Sequence, residues 1–455
     1  PLLNGFISKE MFLTEALEVH TGSLLDRLLP VLATVGSAVG LANVWGFPFM
    51  MGKNGGGAFL VAYLIFIVIF GYVGLPAEYA IGRRAKTGTL GAYENAWESG
   101  GIPVLGKIVG WLPLAGSMCI ALGYAVIIAY VLKGWASATT GALMTVDTQV
   151  WFDSFALNDY SVIVYHVLVV VGTLFTLVLG ASSIEKSNKV MMPLFFLLFI
   201  VLAVWVAFLP GALEGYKFMF QPRWEELAQP MVWIWAMGQA FFSLSITGSG
   251  MIVYGAYLSS KEDIVGAAKY TALFDTIAAM TAALVIIPAS FAYSVDVASG
   301  PGLLFVALPK ILQDVPFGGL LAFMLFTAVV FAGTSSLQNM FEVVAESIMH
   351  KFGFMKRGLT LALLAVICLG VGINMEPIYK WGPWMDWVSI YIIPIGATLG
   401  AISWFWIMKK KDLLDEINLG AAKKQGSTWH ALGRYVYTPF ALILCIVALA
   451  MKVAF

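Results

Sequence analysis

Charged residues are scarce in this chain. Only 11% of its 455 residues are Asp, Glu, Lys or Arg, whereas 60% are hydrophobic. A soluble domain of this length needs many more charges to cover its surface, so the composition excludes an ordinary soluble protein. The 26 basic and 26 acidic residues balance to a net charge of zero, and nothing therefore indicates a nucleic-acid partner.

Cysteine and histidine are also rare. Cys119, Cys368 and Cys445 all lie in apolar segments, where thiols act as packing residues, so no disulfide framework is implied. The four histidines lack the spacing of metal ligands. No Ser–His or paired-Asp arrangement stands out either, and the sequence therefore does not predict an enzyme.

Long apolar segments fill the chain instead. Runs of about 18 or more residues recur along it, and each is long enough to cross a bilayer as a helix. Since backbone groups in lipid must bond within their own segment, we predict an all-α membrane protein. Eleven spans are predicted, at 25–51, 58–83, 104–137, 161–181, 189–210, 228–257, 264–294, 317–349, 358–375, 384–408 and 434–453.

Basic residues follow the even-numbered spans. Arg83, Arg84 and Lys86 come after the second span, and residues 409–411 after the tenth are all lysine. Loops after odd-numbered spans lean acidic, as at Asp147. The positive-inside rule therefore places the N-terminus in the cytoplasm, and an eleventh span would place the C-terminus outside.

Two of the predicted spans are interrupted by small and polar residues, at 36–48 in the first and 243–250 in the sixth. Because these spans lie five apart, they occupy corresponding positions in two five-helix repeats, which indicates a transporter site at an inverted-repeat interface. The alternative is that the glycines only allow close helix packing. The predicted segments are a cytoplasmic 1–22, a first repeat 23–210, a second repeat 211–410, and a loop with the eleventh helix at 411–455.

Oxygen-bearing side chains surround both interruptions. An unwound helix exposes carbonyl oxygens that suit Na⁺, and the N-terminus of a half-helix suits a carboxylate. An acid inside the membrane, such as Asp275, is a functional candidate, although a protonated Asp bonded between helices is the plainer alternative. The candidate oxygen ligands are Asn43, Ser243, Asp275, Ser335 and Ser336.

Stretches of the first, second, sixth and eighth spans match a known signature. They are residues 36–43, 46–48, 54–59, 81–83, 238–245 and 332–336, with Glu78. These stretches closely resemble those of the neurotransmitter:sodium symporter family, and the resemblance covers most of 23–453. It is most similar to bacterial amino acid transporters of the leucine and multi-hydrophobic types. The resemblance implies two inverted five-helix repeats with broken first and sixth helices, plus one further helix, in a bacterial inner membrane.

The resemblance also implies two sodium sites and a substrate site. The second sodium site would use Gly36, Val39, Ala332, Ser335 and Ser336. The first would use Ala38, Asn43, Ser243 and Asp275, completed by the substrate carboxylate, which would couple ion and substrate binding. Substrate would contact Ala38, Gly40, Ala42, Asn43, Ile120, Tyr124, Phe242, Ser243, Ser245, Gly248, Ser335 and Met340. Tyr124 would donate its hydroxyl to the carboxylate and close the site with Phe242.

Single residues refine this expectation. Family members that carry amines place an Asp at Gly40, so glycine there favours amino acids. Asp275 supplies the negative charge that chloride provides in relatives, and Ala279 cannot ligand an anion, so no chloride requirement is expected. Gly46 stands where the outer gate has an arginine, although Asp386 holds the position of its acid partner.

The expected function is sodium-coupled import of neutral, hydrophobic or aromatic amino acids by alternating access. Gly248 stands where a relative has an aromatic residue, which predicts a large side-chain pocket, unless Trp45 swings into the space. The alternatives are a sodium-coupled carrier of an osmolyte or amine on the same fold, or a channel or receptor that does not transport. A channel would need a continuous polar pore, whereas the polar residues here form discrete clusters.

Overall fold

The computed structural model describes residue 40 and residues 42–178, 181–298 and 300–454, and all regular structure within them is helical. The prediction of an all-α protein is thereby confirmed. The helices are α1 Phe47–Lys53, α2 Gly57–Tyr72, α3 Gly74–Ala85, α4 Thr89–Ser99, α5 Pro103–Val109, α6 Trp111–Thr139, α7 Thr148–Ala156, α8 Ile163–Phe175, α9 Ala181–Ala207, α10 Ala212–Phe220, α11 Pro230–Ser243, α12 Ile252–Tyr257, α13 Ile264–Ala292, α14 Leu308–Gln313, α15 Gly318–Lys351, α16 Arg357–Gly372, α17 Ile378–Trp387, α18 Ile393–Ile402, α19 Lys410–Ile417, α20 Ser427–Leu432 and α21 Thr438–Met451.

Short π-helical and 3₁₀ turns join some of these helices. A π-helical turn at Ala42–Gly46 leads into α1, and another at Gly433–Tyr437 links α20 to α21. The remaining turns are Ala142–Met144, Trp224–Ala228, Leu303–Ala307, Ile373–Met375, Val388–Ile392 and Ser403–Ile407. Several long helices are therefore continuous assemblies of two or three labelled pieces.

Seven continuous helices within the described residues are long and apolar enough to cross a membrane. They are Gly57–Ala85, Pro103–Thr139, Ile264–Ala292, Gly318–Lys351, Arg357–Met375, Ile378–Ile407 and Ser427–Met451. An eighth candidate joins Pro193–Ala207 to Ala212–Phe220 through a bend of 113°. The shorter α8 lies where the fourth span is predicted, and most of the first span lies outside the described residues. The count of eleven stays a prediction.

The tenth predicted span begins earlier than its sequence suggests. The helix starts at Ile378, six residues before the expected 384, and Pro383 lies inside it. Trp381 and Trp384 donate their indole N–H groups to the carbonyls of Gly123 and Cys119 in α6, at 2.8 and 3.0 Å. These bonds hold the first turns of α17 against α6, so tertiary contacts outweigh the local signal of proline.

The sixth span is broken, as predicted. Its first half, α11, ends at Ser243, and its second half, α12, begins at Ile252. Between them Ser245 and Gly248 have φ of +54° and +77°, in the left-handed region that a regular helix does not visit. Leu244, Ser245 and Ile246 still donate to carbonyls of α11, whereas the N–H groups further along the interruption need partners outside the helix.

Glu78 on α3 bonds to this interruption. Its two carboxylate oxygens accept from the backbone N–H groups of Gly248 and Met251, at 2.8 and 3.1 Å, and Glu78 itself is buried. α3 approaches α12 closely because Gly82 faces it: a Cβ on Gly82 would collide with the carbonyl of Ile252. Buried irregular backbone is tolerated at membrane depth only when such partners exist, so Glu78 is part of what keeps the sixth span open.

Candidate functional site

Two cavities lie on either side of the Tyr124 and Phe242 rings. An inner cavity of about 50 Å³ lies among the first span, α6, the α11–α12 interruption and α15. A larger vestibule of about 580 Å³ lies beyond it and is lined by α1, α11 and α17. Tyr124 and Phe242 line both, and their rings pack edge to face with centroids 6.3 Å apart. The two rings therefore form a wall between vestibule and inner cavity.

The inner cavity brings together most of the substrate contacts expected from the sequence. Ile120 and Tyr124 come from α6, one turn apart, whereas Ser335 and Met340 come from α15. The expected contacts that line it are Gly40, Ala42, Asn43, Ile120, Tyr124, Phe242, Ser243, Ser245, Ser335 and Met340. Ala38 lies outside the described residues.

Gly248 is the exception among the expected substrate contacts that the structure describes. It does not line the cavity, and a Cβ built on it would collide with the carbonyl of Gly396 and the Tyr93 hydroxyl. Burial, with the charge of Glu78 as a second cause, raises the pKa of Tyr93 well above its usual value, so that hydroxyl stays protonated. Glycine is therefore needed at 248 because the backbone there is crowded and has left-handed φ. The missing side chain does not enlarge a side-chain pocket.

The Trp45 side chain does not lie near Gly248. Its ring stacks on Trp381 in the vestibule, with centroids 5.9 Å apart and 19° between the planes. Its indole N–H donates to the carbonyl of Gly300 at 3.3 Å. The alternative, in which Trp45 swings toward Gly248, is thus not seen, because Trp45 belongs to the vestibule wall.

Asn43, Ser243 and Asp275 form a buried cluster beside the inner cavity. Asn43 Nδ2 donates to Asp275 Oδ1 at 2.7 Å and to the Asp275 carbonyl at 3.0 Å. Ser243 Oγ donates to Asp275 Oδ2 at 2.5 Å, and Asn43 Oδ1 accepts from the N–H of Gly40 at 2.9 Å. All three side chains are at most 5% exposed. Carboxylate, hydroxyl and amide oxygens together are the ligands that a hard cation such as Na⁺ prefers.

A second group of oxygens lies where α15 meets the first span. Ser335 Oγ donates to the carbonyl of Ala332 at 2.9 Å, and both residues are buried. Ser336 lies directly against Gly40, since a Cβ on that glycine would collide with Ser336 Oγ. The structure thus places the α15 half of the expected second sodium site next to the first-span interruption. The other half, Gly36 and Val39, lies outside the described residues.

Three polar residues of the inner cavity were not anticipated from the sequence. Ser117, Thr247 and Asn339 all line it. Ser117 Oγ lies 2.6 Å from Ser249 Oγ, whereas Asn339 Oδ1 is buried without a hydrogen-bond partner among the described residues. Helical spacing could have found two of them, because Ser117 lies one turn before Ile120 and Asn339 one turn after Ser335.

The vestibule contains Asp386 but no arginine among its described lining residues. Gly46 has no side chain that could pair with Asp386, and a Cβ there would contact only the side-chain amide of Gln239. Lys53 also lines the vestibule, yet its ammonium lies over the Trp235 ring, 4.6 Å from the centroid. Within the described residues, Asp386 therefore has no ion-pair partner at the outer side of Tyr124 and Phe242.

A broken helix, an enclosed cavity and adjoining clusters of hard oxygen ligands define a membrane transporter that uses a cation. The family model for the sodium:neurotransmitter symporter family matches residues 23–154 and 152–454. An uncharacterized sodium-dependent transporter of Bacillus subtilis is 32% identical over 91% of this chain and 94% of its own. The chain belongs to the sodium:neurotransmitter symporter family and is a multi-pass, sodium-dependent transporter.

More distant and structural relatives agree with this membership. The bovine sodium-dependent dopamine transporter is 24% identical over 96% of this chain and 70% of its own length. The crystal structure of MhsT in complex with L-phenylalanine matches with a TM-score of 0.82 and 32% identity, over 93% of this chain and 98% of MhsT. The fold expected from the family resemblance is thereby confirmed.

Proposed function

We propose that this transporter imports neutral, hydrophobic or aromatic amino acids together with Na⁺ by alternating access. The observation that supports it best is the inner cavity, which lies directly beside the cluster of Asn43, Ser243 and Asp275. A substrate carboxylate at the interrupted helices would complete the ligand set of the first sodium ion. Ion and substrate would then increase each other's affinity by the same factor, which couples their movement.

Two features support an apolar substrate side chain. Ile120, Met340 and Phe242 supply an apolar wall, and the similar protein MhsT has been crystallised with L-phenylalanine. A cavity of about 50 Å³ is smaller than an aromatic side chain, so binding requires the wall to move. Methionine suits this role because its unbranched side chain adapts to different shapes.

A small polar amino acid is the second candidate. The modest volume of the inner cavity favours it, and so does Asn339 Oδ1, which has no partner among the described residues. An amine or osmolyte without a carboxylate is less well supported. No acidic side chain lines the inner cavity within the described residues, which leaves a lone ammonium group without a counter-charge.

We further propose two sodium ions and no chloride requirement. The second ion would bind between Ser335, Ser336 and the first-span interruption. Near the first ion, the Asp275 carboxylate would supply the negative charge, and Tyr63 lies close by, donating its hydroxyl to Ser243 Oγ at 3.3 Å. Ala279, one turn along α13, is buried and offers no ligand to an anion.

The position of the chain in the cell is proposed on the distribution of its loop charges. Lysines after the tenth span and arginines after the second favour a cytoplasmic N-terminus in a bacterial inner membrane. We propose repeats at 23–210 and 211–410 for the same reason. With five spans in each repeat, the second repeat crosses the membrane in the opposite orientation to the first.

Counterflow in vesicles tests the proposed function. Purified protein is reconstituted and offered each of the twenty amino acids, with Na⁺ or with K⁺. Exchange of Leu, Met, Phe or Trp in Na⁺ alone is the expected result, and exchange restricted to Gly, Ala or Ser favours the second candidate. Exchange of a decarboxylated amine in the same assay, with no amino acid active, would contradict both.

A further inference from the structure

Three basic side chains converge where the last long helix begins. Lys410 is the first residue of α19, His430 lies in α20, and Arg434 lies in the π-helical turn that follows. The Lys410 ammonium donates to Ser427 Oγ at 2.8 Å, and Ser427, His430 and Arg434 follow at intervals of three and four residues on one continuous helix. We call these three residues the basic cluster.

Polar atoms of the basic cluster are buried without partners. His430 is 5% exposed and its Nε2 makes no hydrogen bond within the described part of the chain. The Nε of Arg434 is likewise buried and unbonded there. Buried donors in native proteins are nearly always satisfied, so the two atoms point to a missing acceptor.

Neighbouring acids do not supply that acceptor. Asp412 and Glu416 of α19 pair with Arg84 and Arg83, at 3.3 and 2.7 Å. Among the described residues, the Lys410 ammonium bonds only to Ser427 Oγ, at 2.8 Å. Within the described residues, the charges of Lys410 and Arg434 therefore have no carboxylate partner, and the cluster suits an anion.

Aromatic rings place the cluster at the level of lipid headgroups. The Arg434 guanidinium lies 4.2 Å from the centroid of Trp406 and 5.7 Å from that of Tyr435. Both rings are exposed, at 45% and 64%. Exposed Trp and Tyr at the end of a spanning helix mark the boundary between membrane and water.

An apolar stripe leads away from the cluster along α21. Leu442, Ile446 and Leu449 are exposed and follow Tyr435 at intervals of seven, four and three residues. Those intervals return to one face of a helix, so the side chains form a continuous line. A free inorganic anion would make no use of this line, whereas an acyl chain would lie along it.

We propose that the basic cluster binds the phosphate of an anionic phospholipid headgroup, whose acyl chains lie along the stripe. The phosphate oxygens accept hydrogen bonds from Arg434 Nε, His430 Nε2 and Lys410 Nζ. Juxtamembrane basic residues attract anionic lipid in the same way in other membrane proteins. The bound lipid would link the loop helix α19 to the last spanning helix.

Native mass spectrometry of the full chain in mild detergent tests this site. Phosphatidylglycerol and phosphatidylcholine with identical acyl chains are added at equal concentration, and bound lipid is counted. Phosphatidylglycerol should be retained preferentially, and Arg434→Gln or Lys410→Gln should each reduce its occupancy about fivefold. Lys411→Gln, an exposed neighbour of the same charge outside the cluster, is the matched control and should leave occupancy unchanged.

Three results would overturn the proposal. Equal retention of the two lipids would mean that the cluster does not recognise the headgroup. Equal losses in Lys410→Gln and Lys411→Gln would mean a diffuse surface potential. Displacement of phosphatidylglycerol by millimolar inorganic phosphate would mean a site for free anions. Lys410 is exposed, so its variant is expected to fold and carries the test even if Arg434→Gln is unstable.

Discussion

Asp275 is the residue on which ion coupling most depends. Its carboxylate accepts from Asn43 and Ser243 and is buried with them, so its charge lies where the first sodium ion is proposed to bind. Asp275→Asn keeps the shape of the side chain but removes that charge. We expect sodium-driven uptake in vesicles to be lost, or to reappear only when chloride is supplied. The measurement is uptake in chloride against gluconate.

The control for this prediction is Asp153→Asn. Asp153 lies in α7, where its carboxylate accepts from the Gln149 amide at 2.9 Å, away from the cavity. Its variant should transport like the wild type in both anions. Wild-type uptake that stops in gluconate would show that chloride is needed despite Asp275.

Asn339 is predicted to decide between polar and apolar substrates. A substrate with a polar side chain can donate to its unpaired Oδ1, and an apolar substrate cannot. Asn339→Ala should then lower the affinity for polar substrates about tenfold and leave apolar ones nearly unchanged. Competition for uptake by a panel of amino acids measures this, with the exposed Asn374→Ala as control. Equal effects on all substrates would mean that Asn339 has no part in selection.

At the scale of the element, the interruption of the sixth span depends on Gly248. The chain that links α11 to α12 passes through this residue with left-handed φ. Gly248→Ala adds a Cβ at φ +77° that meets the Gly396 carbonyl, and we expect a loss of about 1–3 kcal/mol of stability with loss of transport. Gly358→Ala is the control, because its Cβ meets nothing within 4 Å. Thermal unfolding of purified variants compares them. Equal melting temperatures would show that the break tolerates a side chain.

Glu78 is predicted to stabilise the same interruption. In Glu78→Gln the amide oxygen still accepts one backbone N–H, but the NH₂ group cannot accept the other, so either Gly248 or Met251 loses its partner. The cost should be about 1–3 kcal/mol. Thermal unfolding reports it, and the exposed Glu98→Gln should be neutral. A neutral Glu78→Gln would mean that water replaces the lost contact.

The elements show how far the sequence leads. Apolar runs predicted the second, third, seventh, eighth and ninth spans closely, because segments buried in lipid have a distinctly apolar composition, whereas the eleventh begins at Ser427, seven residues before the expected 434. Small polar residues also predicted the interruption after Ser243. That Gly248 faces the Gly396 backbone could not be predicted, because this contact depends on the φ of Gly248 and on a residue distant in sequence. Helical spacing from Ser335 could have placed Asn339 at the cavity, but that its Oδ1 has no partner among the described residues depends on packing and could not be predicted.

At the scale of the molecule, the inner cavity is more open on the vestibule side than on the opposite side. The vestibule reaches Tyr124 and Phe242, whereas beyond Met340 the helices are tied together. There Glu342 of α15 accepts from the Tyr257 hydroxyl at 2.7 Å and from Arg357 at 2.5 Å. In the proposed alternating access one side closes while the other opens, so we expect these bonds to break during transport.

Arg357→Gln should therefore favour opening on the side of Glu342. Glu342 is 1% exposed, and removal of its partner leaves a buried charge, at a cost of about 3–5 kcal/mol to the closed arrangement. We expect faster alkylation of a Ser347→Cys reporter on α15 and weaker accumulation of substrate. The double variant Arg357→Gln with Glu342→Gln removes both charges and should recover slow alkylation, because the buried carboxylate is gone. Fast alkylation in the double variant, equal to that of Arg357→Gln, would mean that the opening does not come from the unpaired carboxylate of Glu342.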